Sequence, residues 1–447
     1  ALNITGNTEA VIITGGSISS TDTNAIVNAT SGIVTATVSA DTAANLNTAL
    51  VDSGSQVNAY NLTINGTTAT SSEITNLDNK TSGNITLSGT SMTITVASGE
   101  TLDLSGVTNS LSGTLTINDS TGDNNIKVTS ANDTLTLSSG NDTINLGNGD
   151  DIINVANMSD LTSADIITDT SGIDTLNING SGTIASSDFN VSGFEYLNLS
   201  TGADVVTFTD KSSFDTFKSK FSSAVDTKGG DDEFKFSSAI TEDLDFTKIS
   251  NLEKLSFSEN DDTVTFETDE FNAGIRTLNL GNGQNKAYLE ADTTSSVQVN
   301  GGSGNDEFVL DFTRIEQGDY KVNGGSGEDK IYVTGTSSSI STDTNIFGAG
   351  AFDNIEALDL TGATFGSTVG ADNDFEYLIT GSLINSWTNN DSNNGSLKLT
   401  LDADAASKFE FTNNSGTKYG GDDSGTTAIT NGTYTLDNGA TLIIDGL

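Results

Sequence analysis

A chain of 447 residues is long enough for two or more domains, or for one long repeat array. It carries 17 basic against 61 acidic side chains, a formal charge of −44, which excludes nucleic acid as a natural partner and argues against direct binding to an anionic membrane. The absence of Cys and His rules out a disulfide framework, thiolate or imidazole metal sites, and Ser–His–Asp catalysis.

An excess of carboxylates is normally either a solvated, disordered coat or a set of cation sites. Disorder is disfavoured here. Apolar residues make up 34% of the chain, and Val, Ile, Leu, Phe and Thr alternate with polar residues over many short segments, as in strands with one buried face. Pro is absent altogether; a continuous β ladder would exclude it, because Pro has no N–H to donate. No apolar run approaches transmembrane length. The opening ALNITGNTEAVIITGG lacks the basic and long apolar regions of a signal peptide. It also starts without Met, so a processed product or a part of a longer chain is expected.

Residues 1–117 are rich in Ser, Thr, Ala and Asn and repeat weakly. DTNAIVNATSG from Asp22 leads into IVTATV, TAANLNTALVDSG from Thr42 leads towards YNLTING, and SSEITNLDNKTSG from Ser71 leads into NITLSG. Each opens with a residue suited to N-cap a helix, continues with an apolar pair, passes a Gly, and ends in an alternating strand. Three short helix–strand modules are predicted, serving as a spacer or packing region.

Residues 118–155 hold a tandem block of nines: DSTGDNNIK, VTSANDTLT, LSSGNDTIN and LGNGDDIIN from 119 to 154. The fourth position is Gly122, Ala131, Gly140 and Gly149; the sixth is Asn124, Asp133, Asp142 and Asp151; the eighth is Ile126, Leu135, Ile144 and Ile153. Composition alone would not keep three columns in phase through four copies.

From 156 to 379 the figure continues at a longer period, as Gly172 with Asp174, Gly202 with Asp204, Gly230 with Asp232, Asn260 with Asp262, Gly283 with Asn285, Gly304 with Asp306, and Gly327 with Asp329. The first positions of these copies lie 30, 28, 30, 23, 21 and 23 residues apart, a period suited to one winding of a solenoid. A second marker travels with them: GFEYLNLSTG at 193–202, ISNLEKLSF at 249–257 and FDNIEALDLTG at 352–362 read as core-facing strands entered through a polar turn. Residues 380–447 read as a C-terminal β region, whose closing TLDNGATLIIDGL suits a last core strand or an apolar secretion signal.

Gly supplies the positive φ that a tight turn between strands needs, and such a turn exposes carbonyl oxygens. Asp two residues later adds a short, hard, anionic oxygen, and the apolar residue two further on anchors the strand. Ligation by oxygen alone selects Ca²⁺ over transition metals, and an ion wanting six to eight oxygens must be shared between neighbouring turns. The bland alternative is a β stack whose Asx-turns are capped without metal.

GGSGNDEFV at 301–309 and GGSGEDKIY at 324–332 fit the nine-residue pattern Gly-Gly-x-Gly-x-Asp-x-apolar-x in full. The chain thus resembles the RTX calcium-binding proteins exported by type I secretion. With the strand markers added, it is similar to the RTX-type bacterial surface-layer proteins, those of Campylobacter and Caulobacter being the nearest. The resemblance implies an all-β chain, a parallel β-solenoid or RTX β-roll with an N-terminal β-rich module carrying short helices. It implies several bound Ca²⁺ ions, with Asp133, Asp142, Asp151, Asp306 and Asp329 as the foremost ligands, then Asp204, Asp232 and Asp262, then Asp174. Asn124 and Asn285 would supply neutral oxygens to weaker sites. Two departures stand out: only one block has contiguous nines, and within it Asp119, Val128, Leu137 and Leu146 replace the first-position Gly.

The resemblance further implies a non-enzymatic structural protein on the bacterial cell surface. Such a protein folds when external calcium is met and self-assembles into a two-dimensional lattice or filament, anchored to a cell-surface polysaccharide or lipopolysaccharide. A secreted calcium-stabilised adhesin stays open as an alternative. So does a polysaccharide-acting β-helix enzyme, although with only Arg276 and Arg314 as arginines and no His no catalytic constellation stands out. Trp387 and the scattered Tyr residues suit core packing better than a sugar platform.

Overall fold

The computed structural model of the chain describes residues 8–51, 57–336, 351–364, 377–388, 395–401, 409–420, 427–436 and 439–447. Strands take 42% of residues and helices 15%, so the all-β expectation holds. Among the described strands, antiparallel pairing is confined to residues 409–445 and the remaining pairs are parallel. Two compact units are formed, Ala1–Asp204 with Asp215–Gly230, and Val205–Phe214 with Asp231–Leu447.

In the first unit the three predicted helix–strand modules are present. Helices Ser20–Val27, Ala43–Ala49 and Ser71–Lys80 each precede a strand, Val34–Thr37, Ala59–Ile64 and Ile85–Gly89. Their N-caps are Ser19, Thr42 and Thr70, each accepting a backbone N–H from the first turn. Asp22 therefore sits inside the first helical turn, where its charge suits the helix dipole. The strands of these modules join one parallel sheet with Val11–Ile12 and Val107–Leu111.

Beyond them the chain alternates between two further parallel sheets. Leu115–Asn118, Asp133–Leu137 and Ile152–Val155 lie side by side in one; Asn125–Lys127 and Thr143–Asn145 lie side by side in the other. Consecutive nines therefore go to different sheets, and strands pair across two nines: Leu115 with Asp133, Asn125 with Thr143, Thr134 with Ile152. The eighth-position Ile126, Leu135, Ile144 and Ile153 are all buried. Pairing continues without a break past residue 155, as Thr143 with Ile166 and Ile152 with Thr175. The longer step accommodates a short 3-10 helix, Met158–Asp160, whose Met158 is buried. The marker strand Phe194–Asn198 then pairs with Thr175–Ile178.

The second unit repeats the scheme with a larger aromatic filling. Val205–Phe208, Glu233–Phe236, Lys254–Ser256, Thr277–Asn279, Val297–Asn300, Tyr320–Asn323 and Phe352–Asp353 form one parallel sheet. Thr263–Phe266, Lys286–Leu289, Glu307–Asp311, Lys330–Thr336, Ala357–Thr364, Ser396–Thr400 and Thr441–Asp445 form another. The closing Thr441–Asp445 is thus a core strand, with Leu442 and Ile444 buried. Phe208, Phe214, Phe234, Phe236 and Phe246 pack with ring centroids 5.0–6.4 Å apart. Trp387, on the short helix Gly381–Trp387, is buried edge-on against Phe352.

At several fourth-position glycines the stacked turns leave no room for a side chain. Gly304 has φ +131°, and a Cβ there would collide with the Gly283 carbonyl of the neighbouring turn. Gly106, by contrast, has no left-handed φ and faces open space. Gly304→Ala is expected to lower stability by about 1 kcal/mol or more, since it adds strain at positive φ to a backbone clash. Gly106→Ala should stay within about 0.5 kcal/mol of the parent. Thermal melting of the two variants against the parent checks the pair.

Candidate metal centre

The sixth-position residue opens each strand. Setting Asp204 aside, the backbone N–H of each such residue is captured by a side chain from the same position on the neighbouring parallel strand, not by a backbone carbonyl. In one sheet of the first unit Asn124 donates to Asp142 Oδ1 at 2.8 Å, and Asp142 donates to Asp165 Oδ1 at 2.7 Å. In the other, Asp133 donates to Asp151 Oδ1 and Asp151 to Asp174 Oδ1, both at 2.7 Å, and Asp174 donates to Glu195 Oε2 at 2.8 Å. In the second unit Asp262 donates to Asn285 (2.9 Å), Asn285 to Asp306 (2.8 Å), Asp306 to Asp329 (2.8 Å) and Asp329 to Glu356 Oε2 (2.9 Å). Asp232 donates in the same way to Glu253 Oε2 at 3.0 Å, while Asp204 Oδ1 accepts from the Gly182 amide at 3.2 Å.

All eleven residues singled out by the repeat are buried. The ladders separate them, however, by what reaches the second carboxylate oxygen. In Asp133, Asp204 and Asp262 it accepts both the amide and the hydroxyl of a Ser or Thr four residues earlier. Thr129 reaches Asp133 at 2.8 and 2.6 Å, Ser200 reaches Asp204 at 2.9 and 2.8 Å, and Ser258 reaches Asp262 at 3.2 and 3.0 Å. These carboxylates are satisfied by the protein alone. In Asp142, Asp151, Asp174, Asp306 and Asp329 the Oδ2 atom is buried and no donor among the described residues reaches it. Asn124 is engaged at both ends of its amide: Oδ1 accepts from Gly99 and Nδ2 donates to the Ala97 carbonyl.

An ionised oxygen buried without a donor is costly, and protonation is favoured accordingly. Burial is the leading cause in each case. It pushes Asp151 up to about 8 and Asp142, Asp174 and Asp329 up to about 7, with like charges nearby adding to the effect. Burial also raises Asp306. The unpartnered oxygens abut the turns. A Cβ on Gly301 would collide with Asp306 Oδ2 and the Gly324 carbonyl, and one on Gly324 would stand 2.5 Å from Asp329 Oδ2 and against the Asn354 carbonyl. Carboxylate and carbonyl oxygens thus share one hollow, and the first-position Gly keeps it open. Such a set of hard oxygens fits Ca²⁺ and offers nothing to a soft metal.

Four contributors escaped the repeat. Glu195, Glu253 and Glu356 belong to the strand markers, where they read as polar residues next to core positions; each turns out to hold the N–H of a sixth-position Asp. The recurrence of Glu at a fixed place in all three markers was the available signal. Asp165 closes a ladder from ADII, a turn without the Gly-x-Asp figure. The spacings of 30, 28 and 30 residues also mix columns: Asp174 and Asp262 lie at the heads of strands in different sheets from those that follow Asp204 and Asp232.

In metal-free protein these shifts make stability fall as pH rises. A carboxyl whose folded pKa is raised contributes stability that is fully present below its unfolded value near 3.8 and is lost as pH rises through about 7 to 8. Thermal melting in excess chelator between about pH 4 and pH 8 is expected to show a falling Tm, and a Tm that rises over that window would contradict the assignment.

No protein-family model matches the chain, and no curated protein and no solved structure matches it.

Proposed function

We propose that this chain is a calcium-stabilised structural protein of a bacterial cell surface, wound as a parallel β-solenoid of the RTX β-roll kind. The observation that carries this reading is the set of buried Oδ2 atoms on Asp142, Asp151, Asp174, Asp306 and Asp329 that no donor among the described residues reaches. A divalent cation held between neighbouring turns would neutralise them and use the adjacent carbonyl oxygens. Asp133, Asp204 and Asp262, whose second oxygens are hydrogen-bonded to Ser or Thr, serve in this reading to hold backbone. Asn124 and Asn285 take the same ladder role, and Asp232 gives its N–H to Glu253.

The mechanism is ionic gating of folding. Where free calcium is scarce, 61 carboxylates against 17 basic groups repel one another and disfavour the compact state. Where calcium is abundant, each site that binds only the folded form adds RT ln(1 + [L]/Kd), about 2.7 kcal/mol at a hundredfold excess. Several such sites decide whether the chain folds. The role is non-catalytic: self-assembly into a sheet or filament, with calcium also bridging acidic faces of neighbouring copies and a surface polysaccharide or lipopolysaccharide as the anchor.

Circular dichroism and thermal melting with and without calcium test the first half. Calcium is expected to raise Tm by 10 °C or more, roughly the effect of several such sites on a chain of this size. A Tm indifferent to calcium and chelator would end the reading. Electron microscopy tests the second half: ordered arrays are expected on adding calcium, and a dispersed monomer under all conditions would remove the lattice role.

A further inference from the structure

We infer that Asp169 joins Asp151 and Asp174 in a three-carboxylate site for a hard divalent cation, Ca²⁺ above all, distinct in composition from the glycine-lined hollows at Asp306 and Asp329. The inference rests on the calcium reading and names a ligand outside the repeat's Asp column. Residues 169–177, DTSGIDTLN, are themselves a nine: Gly172 is fourth, Asp174 sixth and Leu176 eighth. Asp169 therefore stands at the first position, where Gly301 and Gly324 stand in the second unit.

The geometry explains what that exchange does. At Gly301 and Gly324 the first position abuts the unpartnered Oδ2 of its own sixth-position Asp. A carboxylate placed there faces that oxygen directly. One oxygen each from Asp151, Asp169 and Asp174 lie within 4.8 Å of one another. Oxygens ligating one Ca²⁺ at 2.3–2.6 Å are separated by at most about 5 Å, twice the bond length, so a single ion can touch all three.

Two independent observations point to a ligand. Asp151 and Asp174 are fully buried, and no donor among the described residues reaches the Oδ2 of either. Both oxygens of Asp169 are buried without a hydrogen-bond partner among the described residues, and the Thr170 and Ser171 amides beside it donate to the Gly147 carbonyl. The Gly149 carbonyl, beside Gly172, adds a fourth hard oxygen source. Gly172 has φ +148°, and the Gly149 carbonyl occupies the place of its missing Cβ, with Asp174 Oδ2 3.3 Å from the same point. Three carboxylates and a carbonyl suit the irregular, oxygen-rich shell of Ca²⁺ better than the strict octahedron of Mg²⁺.

The test compares the full chain with Asp169→Asn by calorimetric titration with calcium chloride, repeated with magnesium chloride, and by melting in chelator. The parent is expected to bind one more Ca²⁺ than the variant, or to bind that ion at least tenfold more tightly, with Mg²⁺ weaker in both. In chelator the variant should melt no lower than the parent, since it loses a repelling charge; a merely structural Asp169 would lower that Tm instead. If the parent is stabilised by calcium while the variant binds the same number of ions equally well, the Asp169 site is overturned and the calcium reading survives. If the parent binds no calcium, both fall. Should Asp169→Asn not fold, Asp169→Gly, which restores the residue of Gly301 and Gly324, reads the same difference.

Discussion

A carboxylate that reaches across to the backbone N–H of its neighbouring strand is the interaction on which the rest of this structure depends. Parallel strands entered through tight glycine turns begin with an amide that donates to a side chain and not to a carbonyl, and a buried amide without a partner would cost about 1–3 kcal/mol. Asp, with its short side chain, meets that amide at about 2.7–2.9 Å along most of the ladders. Glu takes the last place in three of them, reaching back from a marker strand. Each cap fixes the strand register as well as satisfying a donor.

The consequence is a file of acidic groups inside the protein. One oxygen of each is used by the ladder, and the other must be satisfied in its own way. A Ser or Thr four residues earlier does so for Asp133, Asp204 and Asp262 with an amide and a hydroxyl. Where that position is Gly147, Gly302 or Gly325, the following Asp has no such donor, and where it is Ser138 or Thr170 the donor is spent elsewhere, on Asp119 and on the Gly147 carbonyl. The same repeat thereby yields turns whose carboxylates are fully hydrogen-bonded and turns with an unpartnered buried oxygen. Basic side chains are too few to neutralise the interior and appear instead on the strand faces, as where Glu307 lies between Lys286 at 2.8 Å and Lys330 at 2.6 Å on the two flanking strands. Stacked amides do similar work at strand ends, Asn198 to Asn177 to Asn154 at 2.8 and 3.1 Å.

Much of this was legible without coordinates. Alternation of apolar and polar residues identifies the strands, and the phased Gly, Asp and Ile columns place the turns. Thr42 marks its helix start, while Asp22 and Ser71 prove to be helical residues behind the caps Ser19 and Thr70; these signals are local and place a helix to within a few residues. The Glu of the strand markers was visible but unreadable as a ladder member, since its partner lies 21 to 27 residues away and becomes adjacent only through strand pairing. Asp169 was hidden for a related reason. A first-position Asp looks like the loss of a consensus Gly until the fold brings it beside Asp151.

The sequence by itself determined the strand-and-turn grammar, the burial of the eighth-position residues and the restriction to oxygen chemistry, all consequences of residue type and short-range spacing. Tertiary structure alone decided which turns stack on which. That choice follows from the length of chain between strands: two nines in the tandem block, and two nines plus the five extra residues around the Met158–Asp160 turn beyond it. It also decided which carboxylate oxygens find a donor and which do not, because a buried oxygen's partners come from chain segments distant in sequence, and only packing brings them within hydrogen-bond reach.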